Sequence, residues 1–567
     1  MKKLLLKPLF AVIAIAAIPS YSNAQFAQVQ AIHNSPDPAA STVDIWVSTM
    51  FGSSKLYDDF SFRTAKAFES VPAGVPVTLS VAPANSTSVA DTIPGLSIRA
   101  TLTNNERYVL MAVGNVGATF APNPNGLSTF FQFLPLAGIR ATASNPANVD
   151  VLVVHAVTDA PGVDIYAKGI PTPVISDLKY LESSTYLELP AATYFLDVTA
   201  AGTTQSVAFK KAPLSGLAGS AIVVFASGYL DPAINGGGPA FGLFAALPNG
   251  TVIELTNPTA SLQVVHNAAD PAAAEVDVYL NDARILEKFA FRKATPFVTV
   301  PAERGFTVGI AGGGSSAVSD TLVSFDFELN DGENYIVFAN GVLNPASFAS
   351  NPESLSTGFG LKVLTPARKE ADDNNLVDLA LFHGATDAPE VGVFANENKV
   401  SSISYGSFDG YLSVAPGSYT IRITPANADS VTVAQYTADV TAAAGKSLTI
   451  FASGFLTPAN NQNGAAFGLY VVDAAGNVSA LPTSFASVKP LTVNNLALYP
   501  NPSSDKINFS GVSVTSGSYR IMNLMGQEMR AGKWNGEGIS VDFLSKGVYI
   551  LLFENENVVK TARFVVE

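Results

Sequence analysis

Cysteine is absent from all 567 residues. That excludes a disulfide framework, a thiolate zinc site and a cysteine nucleophile, so stability must come from packing and strand pairing. Charge is scarce too: Asp, Glu, Lys and Arg together make 14% of the chain, against about 25% in an ordinary soluble domain. Cations are the rarer sign, with 32 Lys and Arg against 46 Asp and Glu, a formal charge of −14. Nucleic-acid binding rests on Lys and Arg neutralising phosphates, so that role is excluded. A peripheral grip on anionic lipid is disfavoured for the same reason. No stretch carries a sustained 3.6-residue apolar period, and no run beyond the N-terminus is long enough to cross a membrane as a helix.

What is present begins with an export address. Lys2, Lys3 and Lys7 give a positive start, Leu9 to Ile18 an apolar run too short to span a bilayer, and Ser22-Asn23-Ala24 a small-x-small cleavage site. Residues 1–24 therefore read as a signal peptide. Hydrophobic residues make up 48% of the chain, and its length exceeds what one core can organise.

The four histidines expose the organisation. His33, His155, His266 and His383 stand roughly 110–120 residues apart, each in a matching phrase: A-I-H-N-S-P-D-P, V-V-H-A-V-T-D-A-P, V-V-H-N-A-A-D-P and L-F-H-G-A-T-D-A-P. A second strand follows each: V-D-I-W, V-D-I-Y, V-D-V-Y and V-G-V-F. Short strands of period two, with turn signals about every ten residues, predict an all-β chain of tandem Ig-like β-sandwich modules. The expected boundaries are 25–145, 146–257, 258–368 and 369–488, with a smaller β-sandwich over 489–567. The modules are expected to form a string with modest interfaces.

The phrase H-x(3)-D-[AP]-P followed by V-D-[IV]-[WY] resembles a widespread extracellular bacterial family catalogued as a domain of unknown function. The resemblance is strongest in copies two and three. Copy four places Gly392 where the strand aspartate belongs, and copy one inserts residues between Asp37 and Asp44. It implies a module and no chemistry.

The last segment carries A-L-Y-P-N-P-S-S-D-K-I-N-F, I-M-N-L-M-G-Q-E-M, G-V-Y-I-L and K-T-A-R-F-V-V. Their order resembles the C-terminal sorting domain of the type IX secretion system of Bacteroidetes, with Pro500, Asn501, Pro502, Asn523, Gly526, Gly547, Tyr549 and Lys560 as its motif residues. The resemblance implies the type IX machinery as a partner and a secreted or outer-surface location.

Candidate chemistry centres on the histidines, each followed four residues later by aspartate: Asp37, Asp159, Asp270 and Asp387. One reading is structural, a strand-end His pinned to the Asp or to turn backbone. The other is a metal or acid–base site, but one His and one or two carboxylates per module fall short of a metal's three or four ligands. No G-x-S-x-G or H-E-x-x-H motif appears.

Period-two alternation places Asp44 with Trp46, Asp164 with Tyr166 and Asp277 with Tyr279 on one face of the second strand, where Phe394 keeps only the aromatic. Such a pair either stacks and hydrogen-bonds a sugar or packs against the fold. Gly236-Gly237-Gly238 lacks the lysine and helix of a phosphate loop and reads as a flexible loop. The Asn/Asp-rich stretches Asn330–Glu333 and Asp372–Asn375 do not follow the twelve-residue calcium pattern. No cofactor is implied. The expected function is non-catalytic adhesion, scaffolding or binding of an extracellular ligand, glycan or protein. The alternative is an enzyme, or its accessory, acting on extracellular polymer.

Overall fold

In the computed structural model, residues 25–117, 119–484, 497–510, 516–524, 527–555 and 558–567 are described. The expected leader at 1–24 lies outside them. Strands dominate, and the helical segments among the described residues are three-residue 3-10 turns.

Each of the four copies is a two-layer β-sandwich. In copy two, one sheet runs Leu187–Pro190, Asn148–Val154, Ala221–Ser227, Gly242–Ala246, Val252–Leu255, and the other Ile175–Leu178, Val163–Ala167, Thr193–Ala200, Ser206–Pro213. The histidine-bearing first strand pairs parallel with the strand that opens the module's last hairpin, Val154 opposite Phe225. The same parallel pairing recurs in the other copies. Alternation then sorts the side chains: Val149 and Val151 enter the core between the two sheets, together with Ile165, Leu178 and Val198.

The other face of that strand is apolar as well, and this decides how the modules are arranged. Leu152, Val154, Val223, Phe225, Phe244 and Ala246 of copy two pack into one cluster with Ile32, Val109, Met111, Val113, Leu136 and Ile139 of copy one. The two histidine-bearing sheets lie back to back, buried on both faces. Copies three and four repeat this with Val265, Ile336 and Phe338 against Phe382, Phe451 and Val472. The expected string of modest interfaces is thus corrected. The chain is two intimate pairs, copies one with two and three with four.

Several polar contacts around the two apolar seams recur in both pairs. Arg63 of copy one donates from Nε to Ser227 Oγ (3.1 Å) and from Nη2 to the Ala240 carbonyl (2.5 Å), with its guanidinium 4.4 Å from the centre of the Phe244 ring. Arg292 of copy three does the same to Ser453 (3.0 Å), the Ala466 carbonyl (2.7 Å) and Tyr470 (4.2 Å). Gln30 Nε2 reaches the Leu247 carbonyl and Gln263 Nε2 the Asp473 carbonyl, both at 2.8 Å. At the connectors, Arg140 binds the buried carboxylate of Asp150 and Arg368 that of Asp378, each at 2.6 Å.

The junction between the pairs is of another kind. Copies two and three meet through Lys168 with Glu303 and Glu328, Lys211 with Asp331, and Arg304 with Asp197. Among the described residues no apolar cluster joins them. The tail has its own core, including Ile507, Ile521, Val541, Leu551, Phe553 and Phe564.

Loss of a side chain at a seam should therefore destabilise two modules at once. Phe225→Ala, which empties a fully buried ring site, is expected to cost about 3–5 kcal/mol. Arg63→Ala, which strands a carbonyl and a hydroxyl, is expected to cost about 1–3 kcal/mol. Urea unfolding of the fragment 25–257 measures both, and losses below 1 kcal/mol for Phe225→Ala would mean the modules stand alone.

Candidate functional site

The recurring His and Asp stand at the end of each first strand, where the chain turns toward the second sheet. All four rings point into their own sandwich and are buried. Nε2 lies 2.7 Å from the Ala40 carbonyl in copy one, 2.9 Å from Pro161, 2.8 Å from Ala273 and 3.1 Å from Pro389 in the others. Nδ1 accepts the amide two residues on, from Ser35, Val157 and Ala268 in the first three copies. A carbonyl partner requires Nε2 to donate, so the rings sit as the neutral Nε2–H tautomer. Of the two structural partners expected for the His, it takes the turn backbone and leaves the Asp to another task.

That task is to hold a second loop. Asp37 accepts from the amides of Ala39, Val116 and Gly117, and Asp270 from those of Ala272 and Leu343. Asp159 accepts from the Leu230 and Asp231 amides and from Asn235 Nδ2, and Asp387 from Leu456, Thr457 and Asn461. In the even copies the asparagine passes the connection to the neighbouring module: Asn235 Oδ1 accepts from Ala121 N (2.9 Å) and Asn461 Oδ1 from Ala349 N (3.0 Å). In return Asn123 and Asn351 donate to the carbonyls flanking Asp159 and Asp387. The H-x(3)-D turn of each even copy is thus part of the pairing seam.

Burial holds all four imidazoles below their ordinary value of 6.5, against a smaller upward pull from the carbonyl bond, with His33 and His266 lowered to about 4.

The strand aspartates are equally committed. Asp44 is fully buried and takes the Asp59 amide, Ser86 Oγ and Lys55 Nζ. Burial alone would raise its carboxyl, but the Lys55 and Ser86 bonds outweigh that and hold it below the usual range. Asp277 takes the amides of Lys288, Gly314 and Ser315 together with Ser315 Oγ. Asp164 takes those of Asp177 and Gly202.

The rings beside them are covered. Trp46, Tyr279 and Phe394 are buried and Tyr166 half-buried. Trp46 Nε1 donates to Ser86 Oγ, and the Arg422 guanidinium lies 4.0 Å from the Phe394 ring centre. In copies one and three the aspartate and its ring both bond the same loop, through Ser86 and Ser315.

The glycine run, expected as a flexible loop, is a turn whose last residue packs on a ring. Gly236 and Gly237 take positive φ of 66° and 68°, and a Cβ on Gly238 would stand 2.5 Å from the Tyr229 ring. Tyr229 in turn stacks on Phe120 of copy one. Asp331 and Asp372, in the two Asn/Asp-rich stretches, pair with Lys211 and Arg368. Among the described residues no group of three His, Asp or Glu is placed to hold a metal. No helix among them is long and apolar enough to cross a membrane.

In the tail, Asn501, between Pro500 and Pro502, clasps the final strand: Oδ1 accepts from Val565 N and Nδ2 donates to the Arg563 carbonyl. Asn523 closes the hairpin onto Gln527, and Tyr549, two residues past Gly547, stacks on Phe564. Lys560 lies in the final strand, Val558–Val566. Gly526 falls outside the described residues.

Residues 149–237, 260–356 and 377–480 match the family described as Domain of unknown function (DUF4397). The chain belongs to that family. The DUF4397 match takes in copy four, despite Gly392, and leaves out copy one, whose two sheets nonetheless repeat the strand order. Residues 497–567 match the secretion system C-terminal sorting domain, which marks the protein for type IX export.

No curated protein matches the chain. Solved structures similar to it include the product complex of SpuA, a multi-modular glycogen-degrading pneumococcal virulence factor, at 9% identity and TM-score 0.12 over 53% of this chain. The chain covers 37% of that protein's length. The TIE protein of Bacillus anthracis aligns at 9% identity and TM-score 0.12, over 82% of this chain and 73% of that one. PorZ, a surface component of the type IX system of Porphyromonas gingivalis, aligns at 10% identity and TM-score 0.12, over 90% and 86%. Likenesses this loose carry no inference about function.

The lowered histidines make acid sensitivity an expected property. Above pH 6.5 the rings are neutral in folded and unfolded chains alike and add no pH dependence. Below it the unfolded rings take up protons that the folded ones resist, His33 and His266 until about pH 4, so stability falls as pH drops below 6.5. Each ring contributes up to about 1.4 kcal/mol per pH unit. Urea midpoints between pH 7.5 and 4.5 measure the effect. A replacement of all four rings by Gln should flatten the profile, and an unchanged slope would show that the rings protonate while folded.

Proposed function

We propose that this exported DUF4397 protein is non-catalytic and serves adhesion, extracellular scaffolding or the binding of an outside ligand, glycan or protein. One observation carries the reading. The residues that recur in every copy and could do chemistry are the histidines and their aspartates: all four rings bond a turn carbonyl through Nε2, and all four carboxylates hold loop amides. Selection for that phrase is accounted for by architecture, leaving no repeated group poised on a substrate. Tandem display then raises avidity through effective concentration without a strong single site. The leader delivers the chain across the inner membrane and is cut after Ala24. The tail then carries it across the outer membrane to the surface or the medium.

The test pairs a glycan and matrix-protein array with a hydrolysis screen against polysaccharide and peptide libraries, both on the processed protein. Saturable binding with no turnover is the expected result. Turnover abolished by a single Asp or Glu substitution would replace this reading with the polymer-degrading one.

A further inference from the structure

Each sandwich encloses an apolar space between its two sheets, and the four spaces differ in size. They measure about 490 Å³ in copy one, 390 Å³ in copy three, 160 Å³ in copy two and 110 Å³ in copy four. Protein interiors close such voids by repacking unless something fills them. In copy one the inner-face side chains Leu56, Leu79, Phe131 and Phe133 remain only partly buried around the space. A void lined by aliphatic and aromatic groups stays dry and takes up apolar molecules, and 490 Å³ falls within the range of small-molecule sites.

Two further features belong to copy one. Its second and third strands, Thr42–Thr49 and Gly52–Ser61, are joined by Met50 and Phe51, which are 75% and 72% exposed. Phe51 also lines the cavity. The polar side chains lining the space are the exposed Ser53, Ser54 and Ser70, together with His33, Thr49, Tyr57 and Tyr108. The charged side chains nearest them in sequence are already engaged, Lys55 by Asp44 and Asp58, and Glu69 by Tyr57. A ligand here meets a lining that is mostly hydrocarbon, with hydroxyls and the neutral His33 ring as its polar groups, and no Asp, Glu, Lys or Arg among the lining side chains. Packed sheets lie about 10 Å apart, which leaves a slot suited to a thin unbranched chain.

We propose that copy one is a lipid-chain site: its inter-sheet cavity takes the unbranched acyl tail of a single-chain amphiphile, entering past Met50 and Phe51. The head group stays at the serine rim, so the tail sets the affinity. Copy three, with the second largest space, is the weaker second site. Copies two and four are too tightly filled to take part.

Titration calorimetry of the full exported chain with palmitate and, separately, with palmitoyl-lysophosphatidylcholine tests this. Both are expected to bind saturably, at no more than two sites per chain. Binding of one lipid alone still supports a tail site and names the source of the head group. Ala31→Phe with Ala100→Phe, two cavity-lining positions, fills the space and should weaken the tighter site at least tenfold.

Phe51→Ser alters only an exposed side chain. It should slow uptake several-fold in stopped-flow fluorescence with cis-parinaric acid while the thermal unfolding midpoint stays put, so the proposal remains testable if the filled variant misfolds. Absence of saturable binding by the folded chain, or undiminished binding by the folded filled variant, would overturn it.

Discussion

Every module in this chain has one sheet that must be buried on both faces, and the architecture follows from that constraint. The first strand and its parallel neighbour are apolar on both faces, most fully in copy two with V-L-V-V at 151–154 and A-I-V-V-F-A at 221–226, while Gln30 and Gln263 interrupt the first strands of copies one and three. One face closes the module's own core, while the other faces outward. Left to water, that outward face would be an exposed apolar patch of the kind that drives association. A second module placed back to back removes it, and the chain supplies that partner next in sequence.

The sequence made the modules legible and left the pairing unseen. Period-two patterning and the recurring H-x(3)-D phrase located four sandwiches. The positions out of step, Leu152, Val154, Val265 and Phe382, received no partner. A strand apolar on both faces signals burial on both sides, and that signal was present. A second signal lay in the residue after the histidine: Asn34 and Asn267 in the odd copies, Ala156 and Gly384 in the even ones. A Cβ on Gly384 would stand 2.1 Å from Asn267 Nδ2, whereas copy two buries the Cβ of Ala156 in its seam. The F-R of Phe62-Arg63 and Phe291-Arg292 likewise appears only in the odd copies.

The candidate site was legible by elimination more than by geometry. One histidine per module is too few for a metal, and in all four copies its Nε2 goes to a turn carbonyl. What no pattern could give is that the Asp grips a loop some 70–80 residues away, since the parallel strand pairing that brings the two together is non-local. The loops that bond the strand aspartates Asp44, Asp164 and Asp277 come from elsewhere in the module, which period-two alternation does not reveal. Cavity size was invisible for the same reason: Met50 and Phe51 mark where copy one departs from its siblings, yet only packing shows the space beside them.

The account stands on the claim that two modules open together. Native-state hydrogen exchange on the intact exported chain reads this most directly, by following amides in Arg107–Val113 of copy one and Ala221–Ser227 of copy two across low denaturant. A shared seam predicts that both strands converge on one opening free energy, and that Phe225→Ala lowers it equally in both. Separate opening energies, with the substitution felt only in copy two, would contradict it.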